Sequence, residues 1–357
     1  MKALILAGGL GTRFRPFSHT IPKQVVPIAN KPILHYIIEN LKNAGITNIG
    51  IIVGYTPKRI QKIVDCVGDG SKFGVKITYI EQEAPLGLSH AIVTGKDFLG
   101  DDDFLVYLGD NMLKGSINNL VENFKNSNAD VSLLLAKSKH PEKFGNVIVQ
   151  DGNIIDLEEK PAQPKTDLII TGVYMFRPII FDYMYKVKPP VLKEKEWGLT
   201  EALKAVVDSK QHKITYSILE DWWDDAGDVE ALLRANRLVL KDIKNEIKGT
   251  VEDNVKVINN VNIGENTLIK SNTTLEGPII IGVNCEIGPN AHIGPSVSVG
   301  NNVKIKNTTI QNSVIMEQCQ IETDKHISDS LIGKNVKIKE KKQDYGLILG
   351  DHSEVSL

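Results

Sequence analysis

From Val251 onward one aliphatic residue recurs at every sixth position: Val251, Val257, Ile263, Ile269, Leu275, Ile281, Ile287, Ile293, Val299 and Ile305. The residues four further on (Val255, Val261, Thr267, Thr273, Ile279, Cys285, Ala291, Val297, Val303 and Thr309) are all small or β-branched. Glycine often follows the repeating aliphatic, as at Gly264, Gly282, Gly288, Gly294 and Gly300. This hexapeptide pattern predicts a parallel β-helix, in which three hexads make one turn of a triangular coil. The aliphatic points inward and stacks on its equivalents in adjacent turns. So narrow an interior excludes large rings, and the composition agrees. Of 3 Trp, 9 Tyr and 9 Phe, only Tyr345 lies beyond residue 250. The register slips by one residue near Ile310 and again between Ile327 and Ile332. A solenoid by itself says little about chemistry.

The uneven aromatics and the length of 357 residues argue for two domains, at roughly 100–200 residues each. We place them at 1–245 and 246–357. The 42 basic and 44 acidic residues give a formal charge of −2, which argues against a nucleic-acid partner and against a long charged tail. Three widely spaced cysteines, Cys66, Cys285 and Cys319, without any CxxC, predict neither a disulfide framework nor a zinc site. The apolar run Ala3–Ala7 is too short for a signal peptide. No stretch approaches the roughly 18 apolar residues of a membrane helix. A cytoplasmic protein without membrane contact is expected.

The first domain alternates strands and helices. Residues 3–7, 49–53, 76–81 and 104–108 read as buried strands. Residues 32–44, 57–67 and 90–97 have helical spacing, and a helix over 229–243 would close the domain. Such alternation predicts βαβ units and a mostly parallel sheet. Residues 147–149, 154–157 and 169–176 read as an added antiparallel portion. The first strand ends in Gly8-Gly9-Leu10-Gly11-Thr12-Arg13. Glycines there let backbone N–H groups approach an anion, and Arg13 adds a fork of charged donors. The loop is neither a P-loop nor a GxGxxG turn. It continues through Pro16, Pro22-Lys23 and Pro27. Leu108-Gly109-Asp110-Asn111 and Trp222-Trp223-Asp224-Asp225-Ala226-Gly227 each present carboxylates at a strand end.

The string GGLGTRFRP…PKQVVPI, with these later motifs in order, resembles the sugar-1-phosphate nucleotidyltransferases. Within them it is most similar to the long-form glucose-1-phosphate thymidylyltransferases. The resemblance implies a Rossmann-like domain with a mostly parallel mixed sheet, followed by a left-handed parallel β-helix. It implies that a sugar 1-phosphate attacks the α-phosphorus of a nucleoside triphosphate, releasing pyrophosphate without a covalent enzyme intermediate. Gly8, Gly9, Gly11, Thr12 and Arg13 would then hold the triphosphate, and Lys23 would stabilise the α-phosphate during attack. Gln82, Pro85 and Gly87 match the loop that reads a pyrimidine, where an amide can donate and accept at once. Asp110 and Asp225 match the family's Mg²⁺ ligands, and two carboxylates plus phosphate oxygens suit that ion. On the sugar side Gly145, Glu159, Lys160, Gly172 and Tyr174 fall in matching segments. Glu159 would bond sugar hydroxyls, and Lys160 the sugar phosphate.

One segment departs. Thymidylyltransferases commonly show Arg-Gly-Glu-Leu-Glu-Ile-Thr-Asp where this chain has Glu194-Lys195-Glu196-Trp197-Gly198-Leu199-Thr200-Glu201. Lys195 is a partial substitute for the arginine, without its bidentate fork. The departure bears on the identity of the sugar more than on nucleotidyl transfer. The expectation is therefore dTDP-glucose synthesis from dTTP and glucose 1-phosphate. Its alternatives are UTP or another sugar phosphate, or a non-catalytic assembly subunit. Acyl transfer by the coil would need a base such as His292 or His326, which we expect instead to be surface histidines. The coil's flat sides and open ends predict self-association.

Overall fold

The computed structural model describes residues 1–191 and 196–339, so Glu194, Lys195 and Tyr345 lie outside the described residues. The chain forms two compact units, Met1–Val239 and Leu240–Leu357.

The first unit is built on nine strands. In chain order they and two short companions are β1 (Lys2–Leu6), β2 (Asn48–Val53), β3 (Lys76–Glu81), β4 (Phe104–Leu108), β5 (Asn111–Leu113), β6 (Val131–Lys137), β7 (Gly145–Gln150), β8 (Asn153–Glu159), β9 (Leu168–Phe176), β10 (Ile214–Ile218) and β11 (Trp223–Asp225). The main sheet runs β8-β7-β9-β4-β1-β2-β3, with β6 beside β9 and β10 beside β6. β3, β2, β1 and β4 are parallel, whereas β9 is antiparallel to its neighbours. This is a Rossmann-like, mostly parallel mixed sheet, as expected. β5 and β11 pair separately and antiparallel. From β1 the chain moves to β2 and β3 on one side, then returns to β4 on the other. The carboxyl ends of β1 and β4 therefore flank a topological switch point, where open α/β sheets bind ligands.

Helix α1 (Ile33–Asn43) buries Ile33, Leu34, Ile37, Ile38 and Leu41 at helical spacing. Helix α2 (Pro57–Val67) carries proline in its first turn. The expected helix over 90–97 is divided: α3 (Leu88–Thr94) ends at Gly95, and a short turn Lys96–Leu99 follows. A β-carbon at Gly95 would lie 2.8 Å from the Leu4 side chain, so close packing on β1 requires glycine there. The closing helix stops at Leu240 rather than at 243.

The second unit is a coil of three parallel sheets, as expected of a β-helix. Strands three apart in sequence order stack upon one another. Ile269, Ile287, Ile305 and Ile321 form one inward stack, all essentially buried. The irregular region has a more exact form than the sequence suggested. The sides Ile305–Ile310, Ile310–Ile315 and Ile327–Ile332 each have one residue fewer than a hexad. For this reason the second inward column uses Thr308, 4% exposed, and not Thr309 as its period implied. Corners are turned by residues in the left-handed region, mostly asparagine: Asn254, Asn266, Asn272, Asn284, Asn290 and Asn302 all have φ near +60°. Asparagine tolerates this region better than other non-glycine residues. His292 pairs with Glu276 at 3.1 Å, and both are about one-third exposed. Among the described residues no helix is long and apolar enough to cross a membrane.

The corners and the stack predict different losses. Ile287→Ala should cost about 2–5 kcal/mol, the usual penalty for a buried large-to-small change. Asn272→Val should cost about 1–2 kcal/mol through left-handed strain, while Asn272→Gly stays within a few tenths. Urea unfolding of the coil's transition measures all three.

Candidate active site

The glycine loop leaves β1 through backbone contacts that only small residues permit. Ala7 N–H donates to the Ile52 carbonyl at 2.8 Å, and Gly109 N–H donates to the Leu6 carbonyl at 3.0 Å. A β-carbon at Gly109 would stand 2.7 Å from that carbonyl oxygen. Gly11 has φ +64° and opens the turn Thr12–Phe14. Gly8 lies against Gln82, whose Oε1 would be 2.8 Å from a β-carbon there. Gly9, Thr12 and Arg13 are exposed. The loop is pinned by a residue that the sequence reading missed. Arg59, on α2, donates from Nη2 to the Gly9 carbonyl at 3.0 Å and from Nη1 to the Ser18 carbonyl. Nothing in the local sequence marks it, because its partners lie 41 and 50 residues away.

Asp110 follows β4, and Asp225 ends β11. Pairing of β11 with β5 sets Asp225 opposite Asn111, and Ala226 N–H donates to the Asp110 carbonyl at 3.0 Å. The two carboxylates are thereby held together. Lys23 Nζ, itself largely buried, pairs with Asp110 Oδ2. Arg13 Nη2 stands 3.9 Å from Asp225 Oδ2 and keeps 66% of its side chain exposed. Burial and the neighbouring Asp110 charge push the Asp225 carboxyl up to about 7, against the pull of Lys23 and Arg13. Asp225 Oδ1 is buried without a hydrogen-bond partner. A carboxylate oxygen left so, beside a second carboxylate, fits a hard cation, and Asp110 and Asp225 are the residues that would hold Mg²⁺. Among the described residues no cluster of three or more His, Cys, Asp or Glu is placed to hold a metal. Substrate oxygens and water would have to complete the shell.

Gln82, 5% exposed, directly follows β3 and has Nε2 2.9 Å from His90 Nδ1. Pro85 is exposed. Gly87, at φ +110°, lets the backbone of Trp197 pass: a β-carbon there would lie 2.5 Å from the Trp197 carbonyl oxygen. Trp197 N–H donates to the Leu86 carbonyl at 2.8 Å, and Ser89 N–H donates to the Trp197 carbonyl at 3.0 Å. The departing segment is thus tied to the loop carrying Gln82.

On the other side, Glu159 Oε2 accepts from Thr200 Oγ1 at 2.6 Å, and Lys160 Nζ lies 3.6 Å from Glu159 Oε1. Lys160 sits in the left-handed region at φ +43°, held by its N–H donating to the Phe144 carbonyl at 3.0 Å. Strain of this kind in a lysine collects at functional sites. Gly145 lies beside Glu159, 3.5 Å from Oε2 to a would-be β-carbon. Phe144 meets Trp223 edge-on at 4.9 Å, which joins this edge to β11. Two expected residues stand differently. Tyr174 is 5% exposed with its ring stacked on Phe176, inside the core. Gly172, at φ +85°, makes room for Asn111, whose Nδ2 donates to the Thr171 carbonyl.

Asp225 makes the metal-free protein pH-sensitive. Its unfolded carboxyl titrates near about 3.9 and its folded one near 7. Stability from this group is present below pH ~4, falls as pH rises between the two values, and levels off above 7. Asp225→Asn should therefore raise Tm in EDTA at pH 8, with the gap closing at pH 4. Millimolar Mg²⁺ should raise the wild-type Tm at pH 8 and leave the variant unmoved.

Comparison with known proteins agrees with the geometry. Residues 2–242 match the nucleotidyl transferase family, and residues 275–356 match the GMPPB C-terminal domain. A low-salt glycan biosynthesis nucleotidyltransferase, Agl11 of Haloferax volcanii, is 43% identical, and the match covers 100% of both chains. A glucose-1-phosphate thymidylyltransferase of Streptomyces antibioticus is 41% identical over 100% of this chain and 99% of its own. Among solved structures, a Bacillus anthracis protein provisionally assigned as a glucose-1-phosphate thymidylyltransferase superposes with TM-score 0.63 and 34% identity. The match covers 69% of this chain and 98% of that one. With the paired carboxylates, the lysine and the glycine loop gathered at the switch point, the chain belongs to the sugar-1-phosphate nucleotidyltransferase family.

Proposed function

We propose that the protein joins dTTP and α-D-glucose 1-phosphate to give dTDP-glucose and pyrophosphate. The observation that carries this reading is the grouping of Asp110, Asp225, Lys23 and Arg13 at the end of the glycine loop. Gly8, Gly9, Gly11 and Thr12 supply backbone donors to the triphosphate, and Arg13 neutralises its outer charge. Lys23 stands beside the α-phosphate and offsets the charge that grows there as the sugar phosphate attacks in line. Mg²⁺ held by Asp110 and Asp225 supplies further charge neutralisation on the phosphates. Lys160 holds the sugar phosphate and aims its oxygen, while Glu159, fixed by Thr200, accepts from sugar hydroxyls. Such a reaction needs positioning and charge more than a nucleophile on the protein. The reading extends to a left-handed winding of the coil, self-association and a cytoplasmic location.

UTP is the nearest alternative, because the amide of Gln82 meets an edge that uracil and thymine share. Pyrophosphate release, measured for each nucleoside triphosphate against each of several hexose 1-phosphates, decides between them. The expected result is highest kcat/KM with dTTP and glucose 1-phosphate; turnover only with purine triphosphates would overturn the role of Gln82. Asp110→Asn, Asp225→Asn and Lys23→Ala should each lower kcat by about a hundredfold or more, as loss of a preorganised charge does. An Asp110→Asn variant with wild-type turnover would overturn the metal assignment.

A further inference from the structure

Gln82 and His90 form a pair that the proposed reaction does not yet use. Gln82 Nε2 lies 2.9 Å from His90 Nδ1. An amide nitrogen only donates, so Nδ1 must offer its lone pair. Gln82 Oε1 is then left toward Gly8 of the nucleotide loop. The imidazole does not choose its own place. Its ring lies against Trp197, at 6.4 Å between centroids. The Trp197 indole is 2% exposed and donates from Nε1 to the Met184 carbonyl at 2.8 Å. Among the described residues the charges that face His90 are Glu83, on the loop of Gln82, and Lys188. Burial outweighs Glu83 and holds the imidazole below its usual 6.5, so that it is neutral near pH 7.

We propose that His90 is a positioning residue that fixes which end of the Gln82 amide faces the base. It thereby sets the preference for a base with an N–H at that edge, uracil or thymine, over cytosine, which has a lone pair there. The inference rests on the reading of Gln82 as the base-recognition residue. With His90 neutral, the amide oxygen is presented and accepts the base N–H. With His90 protonated, Nδ1–H needs an acceptor; the amide turns over and its NH₂ meets the N–H of thymine, a donor against a donor. Cytosine would gain by the same reversal.

The test uses the full chain and pyrophosphate release with dTTP or dCTP at saturating sugar 1-phosphate. His90→Phe keeps a ring against Trp197 and removes the acceptor. It should raise KM for dTTP about tenfold and reduce the dTTP-over-dCTP preference by about as much, the worth of one oriented hydrogen bond. The KM for the sugar phosphate and kcat should stay within about twofold. His90→Asn can present either end of its own amide. It should keep the KM for dTTP, admit dCTP more readily, and lose the rise in dTTP KM expected of the wild type as acidification below pH 6.5 protonates His90. The substrate's own phosphate titration is common to all variants, so their difference reads His90. Wild-type selectivity in His90→Phe, or a wild-type pH profile in His90→Asn, overturns the proposal. Gln82→Ala separates the two readings. If it keeps the dTTP-over-dCTP preference, base recognition by Gln82 fails and this inference with it. If it loses the preference while both His90 variants behave as wild type, only the inference fails.

Discussion

Two carboxylates forced together by backbone hydrogen bonds set the terms for the rest of the α/β unit. Asp110 and Asp225 come from residues over a hundred apart in sequence, yet the β5–β11 ladder and the bond from Ala226 to Asp110 leave them no freedom to separate. Like charges in a partly buried place repel strongly. Lys23 and Arg13 answer that repulsion incompletely, since one Asp225 oxygen stays without a partner. The fold therefore holds a site in a state of electrostatic need. The surrounding glycines, pressed against carbonyls and side chains, allow the backbone to come close enough to serve the same charged ligands.

A second dependence runs through Trp197. Its backbone bonds the loop of Gln82, its ring backs His90, and the chain just beyond it delivers Thr200 to Glu159. In the proposed reading, base and sugar are recognised by surfaces that share one short segment. That is also the segment that departs from the thymidylyltransferase pattern, so an altered sugar preference there would carry consequences for the nucleotide.

How much of this was legible in the sequence follows from the range of each contact. The glycine loop, Asp110 and Asp225 stand in short strings whose meaning is local, and the structure brings them together where those strings end strands. Arg59 was silent because its partners lie across the fold, and His90 because its bond to nearby Gln82 depends on the turn between them; a lone arginine or histidine on a helix carries no local mark. Tyr174 was expected at the sugar from its segment's resemblance to the family, and a motif match does not say which face of an apolar strand a ring takes; the ring packs on Phe176 in the core. The coil was legible almost throughout, since each side repeats the same packing problem. The corner asparagines were a usable signal, third after the inward aliphatic, that the glycine pattern drew attention away from.

The short sides at Ile305–Ile310, Ile310–Ile315 and Ile327–Ile332 have a wider implication. In a flat sheet a shift of one residue turns every side chain to the opposite face. In this coil the lost residue comes out of a corner, and Ile310, Ile315 and Ile332 still point inward. Each corner resets the alternation for the side that follows. The outline of such a solenoid can be edited one residue at a time while its interior keeps count, so its length variation need not follow its repeat.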